Sequence, residues 1–220
     1  RTAPLTIFCP DELPEIIAAI FKAGDSQIQF PLSFCKLSTQ NEYLVNTPHF
    51  SVQSFPVEHR IPCYGFLVEK KSRARKINAA ACESYQIPYT HYDALKDGAD
   101  YIDEEGNTIL NKWLTDDGTA PKKYAFCADT LFTTSFLEAV MDCDTLYHES
   151  TYLQVDESKA AMRFHSTAKQ AAQFAVLAKT KKLLLGHYSS KYREVRVFEE
   201  EARSIFPNTF ATIEGITYEV

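Results

Sequence analysis

Two kinds of apolar spacing alternate along the chain and predict a mixture of strands and helices. Short apolar runs of strand length, separated by turn-forming residues, occur at 4–8, 29–37, 42–46, 50–57 and 63–69. The last four runs follow one another without a helix between them, which predicts a meander and therefore a partly antiparallel sheet. Further strands are predicted at 124–129, 145–148, 183–185 and in one or two pieces after residue 209.

Helical spacing separates several of these runs. Residues 13–21 carry apolar side chains at i, i+3, i+4, i+7 and i+8, with Asp11 as the predicted N-cap and Gly24 at the end. Thr167 and Gln170 have capping-box spacing and predict the start of an alanine-rich helix. Other helices are predicted at 77–86, 91–96, 133–141 and 195–206, with a hairpin around residues 105–107. This alternation predicts an α/β fold with a mixed sheet.

Composition narrows the class of protein. The 220 residues contain no Pro/Gly/Ser-rich linker, which favours one domain. A net charge of −6 argues against a protein that coats nucleic acid, although a local basic patch remains compatible with it. Six cysteines without C-x-x-C spacing predict reduced, mostly buried thiols in a cytoplasmic protein. No run has the length of a membrane span, and the start lacks a signal-peptide pattern, so we expect no membrane partner.

Three apolar runs end in side chains of the kind that bind metals. They lead to His59, Asp129 and His187, the last directly after Leu183-Leu184-Leu185-Gly186. Ligands collect at the carboxyl ends of strands in α/β sheets, so we expect these three side chains to converge. Nitrogen and oxygen donors of this kind suit zinc or a similar divalent ion. The alternative for each histidine is a hydrogen-bonded core or surface residue.

A basic run and one more histidine offer sites for anions. The run contains Lys70, Lys71, Arg73, Arg75 and Lys76, five positive charges in seven residues without an acid. Such a run contacts a phosphate backbone or forms a solvated loop. His165 directly precedes the capped helix, whose N-terminus favours a bound phosphate. A histidine there could also merely cap or pack.

Five motifs in one order resemble those of ribonuclease Z, a family of metal-dependent endonucleases in the metallo-β-lactamase superfamily. They are FPVEHRIPCYGFLVE at 55–69, FCADT at 126–130, HEST at 148–151, HST at 165–167 and LLLGHYSSKY at 183–192. Ala128 stands where the family usually has glycine. The HxHxDH motif of the superfamily is absent from the chain, and in the family it lies upstream of the segment similar to residues 1–5. We therefore expect a ribonuclease Z fold without its N-terminal part.

The resemblance implies an αββα sandwich with mixed sheets, incomplete at the N-terminus and extending over residues 1–220. It also implies a tRNA-binding arm inserted at about residues 69–98, which includes the basic run. The family's usual Gly-Pro tip is not evident there, because Ile87-Pro88-Tyr89-Thr90-His91 occupies that place.

The activity implied is removal of the 3′ trailer from precursor tRNA by phosphodiester hydrolysis with two zinc ions in a complete subunit. Asp129 would bridge the metals, His59 would bind the first and His187 the second. His165 would act as the general acid, oriented by Glu149. A homodimer is the expected assembly. Without the HxHxDH motif, this chain alone is expected to hold metal poorly and to cleave nothing.

Two alternatives remain at this point. One is another hydrolase of the same fold, such as a small-molecule phosphodiesterase or an arylsulfatase-like enzyme, which would share the three ligand motifs but would not require both HST and a basic arm. The other is an inert tRNA-binding or dimer-partner module that keeps the scaffold without the chemistry.

Overall fold

The computed structural model describes all residues, Arg1–Val220. The chain forms two compact units. The first, which we call the main unit, contains residues 1–46, 51–68 and 123–220. The second, the inserted unit, contains residues 47–50 and 69–122. The inserted unit thus begins where the arm was expected but continues beyond residue 98.

The strands lie close to the predicted runs. They are β1 (Leu5–Cys9), β2 (Leu32–Lys36), β3 (Glu42–Asn46), β4 (Phe50–Val57), β5 (Cys63–Lys70), β6 (Lys76–Ile77), β7 (Tyr101–Ile102), β8 (Thr108–Ile109), β9 (Thr115–Asp116), β10 (Lys122–Cys127), β11 (Thr145–Glu149), β12 (Lys182–Gly186) and β13 (Thr209–Ala211). The helices are α1 (Leu13–Ala23), α2 (Ala79–Ser84), α3 (Tyr92–Lys96), α4 (Asn111–Leu114), α5 (Leu137–Val140), α6 (Glu157–Met162), α7 (Ala168–Leu177) and α8 (Arg196–Arg203). None of them is long and apolar enough to cross a membrane.

The main sheet has seven strands in the order β13-β12-β11-β10-β5-β4-β3. Strands β10 to β13 are parallel to their neighbours, whereas β3 and β4 are antiparallel. The predicted α/β fold with a mixed sheet is confirmed. Leu183, Leu184 and Leu185 of β12 are all buried, as expected for a parallel strand covered on both faces. β1 and β2 form a separate parallel pair.

Helix α7 packs against this parallel part of the sheet. Thr167 accepts a hydrogen bond from the backbone of Gln170, and the Gln170 side chain bonds back to Thr167, so the predicted capping box is confirmed. The alanines of this helix, together with Phe174, are buried in the main core. Alanine is small, so this face of the helix can approach the strands closely.

Two local predictions were wrong. Asp11 does not cap α1, because Glu12 is at the N-cap and the Asp11 carboxylate pairs with Lys36. The helix predicted at 133–141 contains only Leu137–Val140, since hydroxyl groups near its start bond to the backbone in a turn. Of the one or two strands predicted after residue 209, one forms, and it ends at Ala211. In addition, α4 and β9 form in an acidic segment for which no helix had been predicted.

The inserted unit has a small core of its own. It consists of Cys82, Ile87, Leu95 and Leu114. The predicted hairpin is present as β7 and β8, and the Asp103 carboxylate accepts hydrogen bonds from the backbone of Asn107 and Glu105 in its turn.

The cysteines are all free thiols. Cys9, Cys82, Cys127 and Cys143 are buried, Cys63 is partly buried and Cys35 is exposed. Burial raises the pKa of Cys127 well above its ordinary value, which keeps this thiol protonated.

Candidate metal and phosphodiester site

Four strand ends of the main sheet bring the predicted site residues to one edge. His59 follows β4, Asp129 follows β10 and His187 follows β12, while Glu149 is the last residue of β11. Because β10, β11 and β12 are parallel neighbours, their carboxyl ends lie side by side.

The backbone is strained at two of these positions. Asp129 has a φ of 52° and His187 a φ of 61°, in the left-handed region that residues with a side chain seldom adopt. Such a conformation costs on the order of 1–3 kcal/mol and is concentrated at functional sites. Both turns direct a side chain of metal-ligand type toward the same place, and Nε2 of His187 lies 3.1 Å from Oδ1 of Asp129.

Four side chains offer donor atoms that lie within 4.8 Å of one another: Asp129, Glu149, His165 and His187. His59 is beside this group but outside it, with its ring centroid 5.1 Å from that of His165. The three predicted metal ligands and the two predicted catalytic residues are therefore neighbours. Two carboxylates and three imidazoles are the donors that zinc accepts in proteins.

Glu149 is fully buried and its carboxylate is occupied by hydrogen bonds from the protein. Oε1 accepts from the backbone of Thr130 at 2.7 Å and from Nδ1 of His165 at 2.8 Å. Oε2 accepts from the Thr151 hydroxyl at 2.6 Å and from the backbone N–H groups of Ser166 and Thr151. A carboxylate has about four lone-pair positions, so little capacity remains for a metal. This geometry favours an orienting role.

Glu149 and His165 also set each other's protonation. Burial acts to raise the pKa of Glu149, but hydrogen bonds from His165 and Thr151 outweigh it and hold the pKa below its ordinary value. The same hydrogen bond from His165 to Glu149 raises the pKa of His165, against the effect of burial. With Nδ1–H of His165 donated to the carboxylate, Nε2 is the nitrogen that can exchange a proton with a substrate.

Thr151 fixes the tautomer of His187. Its hydroxyl proton goes to the ionised Glu149, which can only accept, so the oxygen of Thr151 must accept from Nδ1 of His187 at 2.8 Å. His187 thus presents the lone pair of Nε2. In His59, Nδ1 donates to the backbone carbonyl of Phe164 at 2.9 Å, which leaves Nε2 with its lone pair as well. Such partners behind a histidine are characteristic of metal ligands, and the donor set fits zinc.

Hydroxyl residues next to the motif acids hold the loops together, and sequence analysis had not singled them out. Thr130 donates its N–H to Glu149, accepts from the backbone of Glu58 and offers its carbonyl to the Ser166 hydroxyl at 2.8 Å. The available signal was that a Ser or Thr directly follows the site residue in FCADT, HST and HEST, with a second one, Thr151, next in HEST.

The basic run lies in β5, β6 and the segment between them. Lys70, Arg73 and Lys76 are exposed. The ammonium of Lys71 donates to the carbonyl of Thr47 at 2.7 Å. Arg75 pairs with Asp117 and with the Thr115 hydroxyl, so part of its charge is used within the inserted unit. The role of these residues in tRNA binding stays a prediction.

The chain is similar in sequence to bacterial ribonucleases Z, although it matches no family model. A comparison with models of protein families found no match to the chain. The chain is 38% identical to ribonuclease Z of Porphyromonas gingivalis over 215 residues, which cover 97% of this chain and 71% of that protein. It is 36% identical to ribonuclease Z of Cytophaga hutchinsonii over 222 residues, 100% of this chain and 71% of that protein.

Solved structures show the same fold. The short form of human tRNase Z superposes with a TM-score of 0.56 at 20% identity, over 86% of this chain and 61% of that one. A metallo-β-lactamase-fold protein from Bacillus subtilis superposes with a TM-score of 0.57 at 15% identity, over 94% of this chain and 61% of that one. The fold is thus the metallo-β-lactamase fold, and from its similarity to the curated relatives the chain belongs to the ribonuclease Z family.

Proposed function

We propose that the protein is a metal-dependent endoribonuclease that removes the 3′ trailer of precursor tRNA. The observation that carries this proposal is the junction of His165 and the buried Glu149 with Asp129 and His187. A metal-ligand set alone would serve many hydrolases of this fold. A histidine oriented by a carboxylate, with one nitrogen left for the substrate, adds the proton donor that a leaving ribose 3′-oxygen needs.

The residues that would hold metal are Asp129, His187 and His59. Zinc ions bound there would activate a water and stabilise the charge that develops on the phosphorus centre. Asp129 has two carboxylate oxygens and is the residue suited to bridge two ions. Zinc sites take three or four protein ligands for each ion, more than these three residues supply. We therefore expect the 220-residue chain by itself to bind zinc weakly and to be inactive.

His165 would deliver its proton from Nε2 to the 3′-oxygen of the departing strand. The hydrogen bond to Glu149 raises the pKa of His165, which favours the protonated form of the imidazole that this step requires. Glu149 itself would not touch the substrate, because its oxygens are engaged with protein donors.

We also propose that the protein is a homodimer and that it is located in the cytoplasm. Helix α1 has no buried residue, and Ile16 and Ile20 are 52% and 64% exposed. An apolar helix face of this kind supports the proposed homodimer, which sedimentation of the complete protein would test. The six free thiols support a cytoplasmic location.

The test is cleavage of a precursor tRNA by the complete protein. We expect a single cut that leaves the mature 3′ end, lost on chelation and restored by zinc. Binding of the precursor without any cleavage would instead support the non-catalytic module. Cleavage of small phosphodiesters but not of the precursor would support the other hydrolases of this fold.

A further inference from the structure

A cavity lies beside the candidate site, and two of the residues that line it are arginines. It has a volume of about 390 Å³ and is lined by His59, Arg60, Met162, Arg163 and His165. Two of these residues, His59 and His165, belong to the site described above, so a molecule in the cavity would be adjacent to the reacting group. The volume lies within the range of about 300–1,000 Å³ typical of ligand pockets.

The two arginines come from different segments and have no carboxylate partner. Arg60 lies in the loop after β4 and Arg163 at the end of α6, and both are exposed. Arg163 contacts the Tyr152 hydroxyl at 3.4 Å, which is a neutral partner. By contrast, Arg196 pairs with Glu200 and Arg203 with Glu199. Although the protein is acidic overall, two guanidinium groups without a carboxylate partner line this cavity. They would bind an anion there.

A bound anion in the cavity would offset the positive charge of the Arg60 and Arg163 guanidinium groups. The planar guanidinium forms paired hydrogen bonds with phosphate oxygens, so phosphate is the matching anion.

We propose that Arg60 and Arg163 form a subsite for one phosphate of the RNA strand, next to the phosphodiester that is cleaved. This inference rests on the proposed function. The subsite would hold the strand on both sides of the reacting bond, so that the phosphorus stays in place while His165 donates its proton.

The experiment pairs protein variants with modified substrates. A series of precursor tRNAs is made, each with a single uncharged methylphosphonate linkage at a different position around the cleavage bond. For every substrate, kcat/KM is measured with the complete wild-type protein and with its Arg60→Ala and Arg163→Ala variants. Each variant should lower kcat/KM about 10- to 100-fold on the unmodified substrate, the usual worth of a charged hydrogen bond. Arg193→Ala is the matched control, since Arg193 is an exposed arginine outside this cavity and should have little effect.

The decisive outcome is non-additivity. At one linkage the methylphosphonate should reduce cleavage by the wild-type protein but cause little further loss in Arg163→Ala, because the variant has already lost that contact. Arg60→Lys should recover part of the activity. If the losses add at every linkage, or if the variants behave like Arg193→Ala while the precursor is still cleaved, the subsite is wrong and the proposed function stands. If the wild-type protein cleaves no precursor, both proposals fail.

Discussion

The hydroxyl of Thr151 lies 2.8 Å from Nδ1 of His187 and donates its own proton to Glu149. One threonine therefore connects a proposed metal ligand to the carboxylate that orients the proposed general acid. Thr151 and His187 are 36 positions apart in sequence. They meet because β11 and β12 are parallel and Glu149 pairs with Gly186 in their register.

This relationship predicts an effect on metal binding. Thr151→Val removes both hydrogen bonds while keeping the shape, so His187 would lose the partner that fixes its tautomer. Loss of such a partner typically costs 10- to 100-fold in metal affinity. We expect a zinc dissociation constant raised by about that factor in competition titrations with a chelator. Thr151→Ser keeps the hydroxyl and should bind zinc nearly as the wild type does; equal affinities in all three proteins would contradict the prediction.

A second prediction concerns packing beneath the site. At Gly65 in β5, an added Cβ would lie 2.2 Å from the buried ring of Phe55 and 3.0 Å from the carbonyl oxygen of Phe126. Overpacking of a core typically costs about 1–3 kcal/mol. Gly65→Ala should therefore lower the free energy of unfolding by about this amount in urea titrations.

The control for this change is Gly24→Ala. An added Cβ there meets nothing closer than 3.5 Å, and the φ of Gly24 is an ordinary −85°. Its effect should stay within about 0.5 kcal/mol. If Gly65→Ala were as mild as this control, Phe55 would have to move without cost, and the core would be looser than its burial indicates.

Much of the site could be predicted because a short local pattern in the sequence marks the end of each strand. An apolar run followed by His59, Asp129 or His187 marks both the strand and the residue that emerges from it. In contrast, the bonds of Thr151 depend on the register between strands that are far apart in the chain, and no local pattern encodes that register. The same holds for Thr130, which bonds to Glu58, Glu149 and Ser166 in three other segments.

The errors in the fold have a related cause. Apolar spacing predicts where a helix can pack, but not whether hydroxyl side chains divert its first turn, as Thr133 does before α5. Asp11 is also a good N-cap by type, yet Lys36 from β2 takes its carboxylate. In both places a contact outside the periodic pattern decided the local structure.

The pH dependence of turnover follows from the pair of His165 and Glu149. A general acid acts in its protonated form, so activity falls as pH rises through its pKa. Because the bond to Glu149 raises the pKa of His165, activity should persist above the pH at which an ordinary histidine loses its proton. Glu149→Gln removes the main cause of that rise, so the alkaline limb of kcat should move to lower pH. An unmoved limb would assign the proton transfer to another group.

The roles of His165 and His187 can be separated by zinc content. His165→Ala should lower kcat by about 10²–10⁴-fold, the usual contribution of a general acid, with bound zinc unchanged. His187→Ala should lose metal and activity together, since Nε2 of His187 lies beside Asp129, where we propose that the metal binds. Zinc analysis of both purified variants, alongside single-turnover cleavage, checks this. Loss of zinc in His165→Ala would make that residue a ligand.

The basic run of the inserted unit should act on substrate affinity alone. Replacing Lys70, Lys71, Arg73, Arg75 and Lys76 by alanine should raise KM and leave kcat nearly unchanged, because a cation that contacts a phosphate other than the reacting one binds substrate and transition state equally.

Salt dependence tests whether these cations contact phosphate. Each phosphate contact contributes roughly 0.7–0.9 to the slope of log affinity against log salt, so the variant should show a flatter slope. Arg75→Ala by itself is the informative control, because Arg75 pairs with Asp117 and should affect the stability of the inserted unit more than the slope. A five-residue variant with the wild-type salt slope would show that the run is a solvated loop, and the tRNA contact would then have to lie elsewhere on the protein.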